Sequence, residues 1–396
     1  MKKILLVIFS VLLMFSTTTT RAQDKEALLK AHLRNFEMAG IEVKIQILED
    51  AAASGIKELG PLYLQALDYV LSNTALITAD GRLRQMVVVA AGQIKESGYA
   101  EARYSLWELF KADQDNLLRV GTLNGLSVVG KGDPAIIQEM NRWLEAQNTF
   151  FISGKKPDFQ VLNACIAALA EIGDSTSFPA IFSAANIGYP VDTVALSKNA
   201  LQEIEGDLDQ NLKGIIRDQP IADKKVALVM ALEHEGLEDD RKAEVAEFAM
   251  DMALHMGLTD AGQRAISREI RFEAAKALME RKWSRATPLA IEHFDATLLE
   301  YERGVSTKNS FLEAIATLGS MGSHDAAVRL TQYLVLMNSY SENGKSTDDQ
   351  IILAVVNNLG GLGDKVAFDD LKYVGYLNYN SQIKKAARKS LENLKW

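Results

Sequence analysis

The feature that most constrains this chain is a helical pattern that stops and restarts at short intervals. From residue 24 onward, apolar side chains recur with the 3.6-residue period of an amphipathic α-helix, and no segment shows a convincing strand alternation. Most apolar helices start after a polar or acidic residue and run to a glycine, often followed by aspartate. Because glycine accepts the left-handed conformation found at helix ends, each glycine is predicted to end one helix before a second begins.

The helix ends are spaced regularly enough to predict a repeat. Their mean separation is about 38 residues, a period typical of helix-pair repeats. A single helix pair cannot bury its apolar face without neighbours, so such pairs stack. We therefore predict an all-α alpha-solenoid of stacked antiparallel helix pairs over residues 23–396, with roughly eight to nine degenerate repeats that are irregular around 205–300. The alternative is a non-repetitive helical bundle. The predicted ends are Gly55, Gly98, Gly132, Gly173, Gly206, Gly236, Trp283, Gly322 and Gly363.

The repeated units resemble HEAT-like repeats of the phycobilisome-lyase type. That consensus has an acidic starter, an apolar–basic pair, an alanine-rich stretch, and then Leu, Ile, Gly and Asp. The resemblance implies an armadillo-like helical fold and says almost nothing about function. The resemblance does not imply the lyase activity in the family name. The best matches are Asp115, Leu118 and Arg119 for the start of a unit, and Ala167-Ala168-Leu169 with Ile172-Gly173-Asp174 for its end.

Residues 1–22 are predicted to form a secretory signal peptide. Lys2 and Lys3 precede an apolar run from Ile4 to Phe15, and Ala22 supplies a small residue before the expected cleavage site. The apolar run is too short for a membrane span of about 20 residues, although an uncleaved anchor is the alternative. The signal predicts an exported protein, periplasmic or secreted, in a bacterial cell, with no membrane insertion after its removal.

Composition excludes several functional classes. The formal net charge is −9, from 43 basic and 52 acidic residues, which argues against a general nucleic-acid or anionic-membrane binder. Cys165 is the only cysteine, so the chain forms no internal disulfide. It lies on an Ala/Leu/Ile helical face, which predicts a buried small side chain. No phosphate-binding loop or serine-hydrolase motif occurs, and we predict no cofactor.

A basic residue after an apolar starter recurs and gives the candidate binding residues. In stacked repeats such positions fall near the inner, concave helix layer. One interpretation is a basic strip that grips an acidic partner. The other is a structural ladder in which each basic residue pairs with a neighbouring Asp or Glu. The candidates are Arg84, Arg119, Arg271 and Lys384.

The five histidines do not form a motif. His234-Glu235 begins like a metalloprotease motif but lacks the second histidine, and a zinc site needs three or four converging ligands. We predict scattered surface histidines and no metal. The acidic clusters at 205–209 and 233–240 also lack the spacing of a calcium loop.

Two stretches, 144–157 and 337–349, are predicted to be long junctions that interrupt the repeat. Phe150, Phe151 and Ile152 in the first could dock a partner or seal the gap between two helix pairs. Taken together, the sequence favours an exported, non-enzymatic scaffold that binds a protein or peptide of the cell envelope. The alternatives are a self-associating assembly subunit, and an envelope hydrolase whose site would use His234, His255 and His293.

Overall fold

The computed structural model describes residues 25–395, and the predicted signal peptide lies outside them. The described chain consists of α-helices and short 3₁₀ turns, and its only strand-like pairing is an isolated bridge between Asp364 and Lys395. Most contacts between helices join helices that lie one or two places apart in the sequence. This arrangement confirms the predicted all-α alpha-solenoid of antiparallel helix pairs.

The chain divides after Gly206 into two compact units, unit 1 and unit 2. Unit 1 starts with helix α1 over residues 25–38. Its further helices are α2 (Ile41–Ala53), α3 (Gly60–Leu71), α4 (Thr74–Ile77), α5 (Gly81–Ser97), α6 (Arg103–Ala112), α7 (Asn116–Val129), α8 (Pro134–Ile152), α9 (Phe159–Ile172), α10 (Phe178–Asn186) and α11 (Val191–Glu203).

Unit 2 runs from Asp207 to the carboxyl end. Its helices are α12 (Leu208–Asp218), α13 (Ile221–Glu233), α14 (Asp239–His255), α15 (Ala261–Glu280), α16 (Thr287–Glu302), α17 (Lys308–Ser320), α18 (His324–Glu342), α19 (Asp349–Leu362), α20 (Phe368–Val374) and α21 (Ser381–Glu392).

Within each unit the helices form two layers. Layer A contains α2, α5, α7, α9 and α11 in unit 1, and α13, α15, α17, α19 and α21 in unit 2. Layer B contains α3, α6, α8 and α10, and α12, α14, α16, α18 and α20. Small residues bring neighbouring helices together: a Cβ atom on Gly125 of α7 would lie 2.9 Å from Leu106 and 3.2 Å from the carbonyl oxygen of Ala91 in α5.

The predicted helix ends are largely confirmed by the backbone. Seven of the predicted glycines have positive φ, the left-handed conformation in which glycine carries no Cβ penalty. At the break near Trp283, Lys282 adopts φ 49° and is the only non-glycine with positive φ among residues 25–395. Gly236 has no positive φ, so the break there has a different geometry. The seven confirmed ends are Gly55, Gly98, Gly132, Gly173, Gly206, Gly322 and Gly363.

The last four helices of the two units are copies of one another. The same number of residues separates Pro134 from His324 at the start of α8 and α18, and Phe159 from Asp349 at the start of α9 and α19. Equivalent residues make equivalent contacts. The Asn148 side chain donates to Ala180 O (3.0 Å) and accepts from the Tyr189 hydroxyl (3.0 Å), whereas Asn338 donates to Asp370 O (3.3 Å) and accepts from Tyr379 (3.3 Å). The chain therefore contains a duplication larger than the helix pair.

The two predicted long junctions are shorter than expected. Helix α8 continues to Ile152 and α18 to Glu342, so most of 144–157 and part of 337–349 are helical. The ring of Phe151 packs 4.4 Å from that of Tyr189 and 6.3 Å from that of Phe159. Phe151 therefore seals the gap between two helix pairs, while Ile152 remains 67% exposed.

Candidate functional site

Several layer A helices carry a basic side chain near their start that caps the carboxyl end of the preceding helix. Lys44, Arg84, Arg119 and Lys224 each lie four residues after the N-cap of their helix. Lys44 donates to the carbonyl oxygens of Phe36 and Glu37, the latter at 3.2 Å. The other three donate to Ile77 (3.0 Å), Phe110 (3.2 Å) and Arg217 (2.7 Å). Cations favour the carboxyl end of a helix, so these contacts stabilise the turn between helices.

Two of the predicted binding residues, Arg84 and Arg119, belong to this capping set. Arg84 also donates from Nη1 to Oδ2 of Asp115, the N-cap of the next layer A helix, at 3.0 Å. The Arg119 guanidinium lies 4.3 Å from the centre of the Phe110 ring, and burial lowers its pKa. The contacts of Arg84 have the form expected of the structural ladder.

The other two predicted residues lie in unit 2. Arg271 on α15 is buried, with 4% of its surface exposed, and its Nη2 lies 2.6 Å from Oε1 of Glu300. Burial lowers the pKa of Arg271, and the charge of Glu300 opposes that effect. Lys384 is half-buried near the start of α21 and forms no ion pair with a described residue. A role of these four residues in partner binding stays a prediction.

The three histidines of the hydrolase alternative do not come together. His234 follows α13 and is exposed, whereas His255 ends α14 and pairs with Asp251 (3.0 Å) and Glu292 (3.1 Å). Among residues 25–395, no group of three His, Cys, Asp or Glu side chains is placed to hold a metal ion.

His293 corrects the prediction that all the histidines lie on the surface. It is fully buried on α16, and neither ring nitrogen has a hydrogen-bond partner in the described chain. Burial lowers its pKa to about 3, and the nearby Arg271 adds to that effect. Ala290 and Thr297, about one turn away on the same face of α16, are buried as well, a signal that the sequence analysis did not use. Cys165 is fully buried, as predicted, and burial raises the pKa of its thiol.

The surface with the clearest binding character lies on layer A of unit 1. We call it the uncharged face, because nine exposed or half-buried positions on α5, α7 and α9 carry no charged side chain. Leu117 is 68% exposed and Val88 is 38% exposed. A Cβ atom on Gly121 would lie 3.7 Å from Val88, which places Gly121 and Val88 along the contact of α5 with α7. The face comprises Val88, Gly92, Leu117, Val120, Gly121, Asn124, Gln160, Ala164 and Ala167.

Charged side chains surround the uncharged face. Arg82, near the start of α5, pairs with Asp80 (2.8 Å), and Lys95 at the other end pairs with Glu171 of α9 (2.9 Å). The cores of protein–protein interfaces are depleted of charged residues and have polar rims. The face therefore has the composition of an interface core. Sequence reasoning missed it because the solvent-facing positions of α5, α7 and α9 become neighbours only after the helices stack.

No family description and no curated protein matches this sequence. One similar solved structure is described as a "Circular tandem repeat protein with novel repeat topology and enhanced subunit contact surfaces". It is 15% identical, the match covers 93% of this chain and 75% of that chain, and the TM-score is 0.16. Among the described helices, none has the length and apolar character needed to cross a membrane. The packing of the described helices therefore shows that the chain has a helical repeat fold.

Proposed function

We propose that this chain is an exported HEAT-like repeat protein of the bacterial cell envelope, without enzymatic activity, that binds a protein or peptide through the uncharged face of unit 1. The predicted signal peptide supports the location. The observation that carries the binding proposal is the run of uncharged, solvent-facing side chains across α5, α7 and α9, with Leu117 at 68% exposure.

Burial of this face against a partner is energetically inexpensive. Its side chains are apolar or carry amides, so no ion loses its hydration when a partner covers it. Full burial of a leucine or valine side chain contributes about 1.5–3 kcal/mol. Asn124 and Gln160 are exposed, and an amide can both donate to and accept from the main chain of a bound segment. The face can therefore hold an apolar anchor and fix its orientation.

The test is cross-linking capture by the tagged chain from its own envelope fraction, read by mass spectrometry. The binding variant combines Val88→Asp and Leu117→Asp, which places charge in the centre of the face. The matched control is Ile152→Asp, since Ile152 is an equally exposed apolar residue of the same unit but lies at the end of layer B helix α8. Mass spectrometry of the exported chain also checks whether it begins at Gln23.

We expect one stoichiometric protein partner that is lost with the double variant and kept with the control. A titration of that purified partner should show affinity reduced at least tenfold by the double variant. Equal capture by both variants would contradict the assignment of the face. Self-cross-links alone would contradict a foreign partner and favour assembly.

A further inference from the structure

Unit 2 holds a cavity whose lining is unusually rich in arginine. It has a volume of about 200 Å³ and opens to solvent where the end of α14, the first half of α15 and α16 meet. Arg264, Arg268 and Arg271 line it from one face of α15, and Glu300 of α16 is the only acidic side chain in its wall. Three guanidinium groups therefore share one carboxylate, which leaves the cavity with excess positive charge.

The hydrogen bonds of the three arginines leave part of this charge uncompensated. Arg264 donates from Nη1 to the carbonyl oxygen of Thr259 at 2.6 Å, and Arg271 donates from Nη2 to Glu300. Arg268 is half-buried and has no hydrogen bond or ion pair with a described residue. Nε and Nη1 of Arg271 also have no hydrogen-bond partner in the described chain and reach solvent, although 96% of the residue is hidden.

The carboxylate of Glu300 leaves a second polar group without a hydrogen-bond partner in the same cavity. Its Oε1 accepts from Arg271, but its Oε2 is buried and accepts no hydrogen bond from a described residue. Buried acceptors normally have a donor, and one without a donor calls for an explanation such as a bound group. The cavity therefore offers guanidinium donors and a free carboxylate acceptor side by side.

We propose that this cavity binds a small oxyanion that carries a neighbouring hydroxyl or amino donor. The oxyanion, a carboxylate or a phosphoryl group, lies against Arg268 and Arg271, and the neighbouring donor faces Oε2 of Glu300. Planar guanidinium groups pair with both kinds of oxyanion through two parallel hydrogen bonds. A cavity of roughly 150 Å³ accepts benzene, so this one has room for a small hydroxy acid or a phosphate. The site is independent of the uncharged face of unit 1.

The test is calorimetric titration of the whole chain with three probes: inorganic phosphate, L-lactate and propionate. Phosphate and lactate carry an oxyanion and a hydroxyl, whereas propionate lacks the hydroxyl. We expect saturable binding of phosphate or lactate, at least tenfold tighter than that of propionate. The stronger of the two identifies the phosphoryl or the carboxylate source. Absence of saturable binding at tens of millimolar of every probe would overturn the proposal.

Variants separate the proposed contacts from general charge effects. Arg268→Gln should weaken binding at least tenfold, whereas Arg303→Gln, at the exposed end of α16, should leave it unchanged. Glu300→Leu should abolish the preference for lactate over propionate, because leucine offers no acceptor to the hydroxyl group. Circular dichroism checks that each variant is folded. Equal binding by the Arg268 and Arg303 variants would show an unspecific charge effect and refute the site.

Discussion

Replacement of a helix-ending glycine by alanine should destabilise the protein by different amounts at two sites whose φ angles are nearly the same. Gly132 has φ 76° and Gly173 has φ 77°. A Cβ atom on Gly132 would meet nothing within 4 Å, whereas one on Gly173 would lie 3.3 Å from the carbonyl oxygen of Glu203. That chain segment is held in place, because the amide of Glu205 donates to Gly173 O at 2.7 Å. Alanine at Gly132 therefore reports the cost of backbone strain alone, whereas alanine at Gly173 reports backbone strain and steric crowding together.

The expected magnitudes follow from two terms. A non-glycine residue in the left-handed conformation costs about 1–2 kcal/mol, and alanine recovers about 0.4–1 kcal/mol by restricting the unfolded chain. Gly132→Ala should therefore lower the free energy of unfolding by about 1 kcal/mol. Crowding of a packed site adds about 1–3 kcal/mol, so Gly173→Ala should lower the free energy of unfolding by about 2–4 kcal/mol in total.

The duplication supplies a second, independent pair in unit 2. Gly322 has open space around a Cβ atom, whereas Gly363 would place one 3.1 Å from the carbonyl oxygen of Asn393. Alanine at these two positions should reproduce the difference seen between Gly132 and Gly173. As a control of opposite sign, Gly92→Ala inside helix α5 has open space and should stabilise the protein by about 0.5–1 kcal/mol.

Urea unfolding followed by circular dichroism gives the free energies, and hydrogen exchange read by mass spectrometry assigns each change to its unit. The difference between the crowded and the open glycine should exceed about 1 kcal/mol in both units. Equal losses at Gly132 and Gly173, or a gain in stability at Gly132, would refute the reasoning.

Three further substitutions test the buried polar groups. His293→Phe should make the protein less sensitive to acid. The pKa of His293 is about 3 in the folded protein and about 6.5 in the unfolded chain, so the unfolded chain binds a proton first as the pH falls. The native protein therefore loses about 1.4 kcal/mol of unfolding free energy per pH unit between these values. Unfolding free energies from pH 7 to pH 4 should be flatter for the variant, and parallel curves would contradict this. Asp115→Asn should weaken the protein at neutral pH, because hydrogen bonding from the Leu118 amide lowers the pKa of Asp115 and stabilises its charged form. The difference from the native protein should shrink as the pH falls through about 3.9 and below, and a constant difference would count against the cap. Tyr189→Phe should cost about 1–2 kcal/mol in urea unfolding, because it leaves a buried oxygen of Asn148 without its donor, and an unchanged midpoint would show that water replaces the hydroxyl.

The fold was predictable because its main signals are local. Gly173 and the aspartate after it mark a helix end through their own conformational preferences, and the apolar period around Leu169 needs no knowledge of distant contacts. Lys282 was not predictable, because a lysine with positive φ is set by the packing around it. The end of α8 was placed too early, because helix propensity near Ile152 is modest and tertiary contacts of Phe151 extend the helix.

The candidate sites were much less accessible to sequence analysis. Lys44 and Lys224 cap the preceding helix by donating to its last carbonyl groups. Their ammonium groups reach these carbonyls only once the turn between the two helices has formed, so the sequence alone does not show the contact. The duplication was also missed, because few identities such as Asn148 with Asn338 survive between the copies. Leu117 and Val88 belong to one surface only because α5 and α7 pack side by side.

The layered packing of each unit has a mechanical consequence. Each described helix is held chiefly by the helices next to it in its own layer and by its neighbours in the other. A force that pulls on the two ends of a unit is therefore transmitted through these helix contacts one after another. Small changes at every contact add up to a large extension, while each helix keeps its internal hydrogen bonds. Such a unit can lengthen or shorten under load, in a single-molecule trap for example, before any helix unfolds.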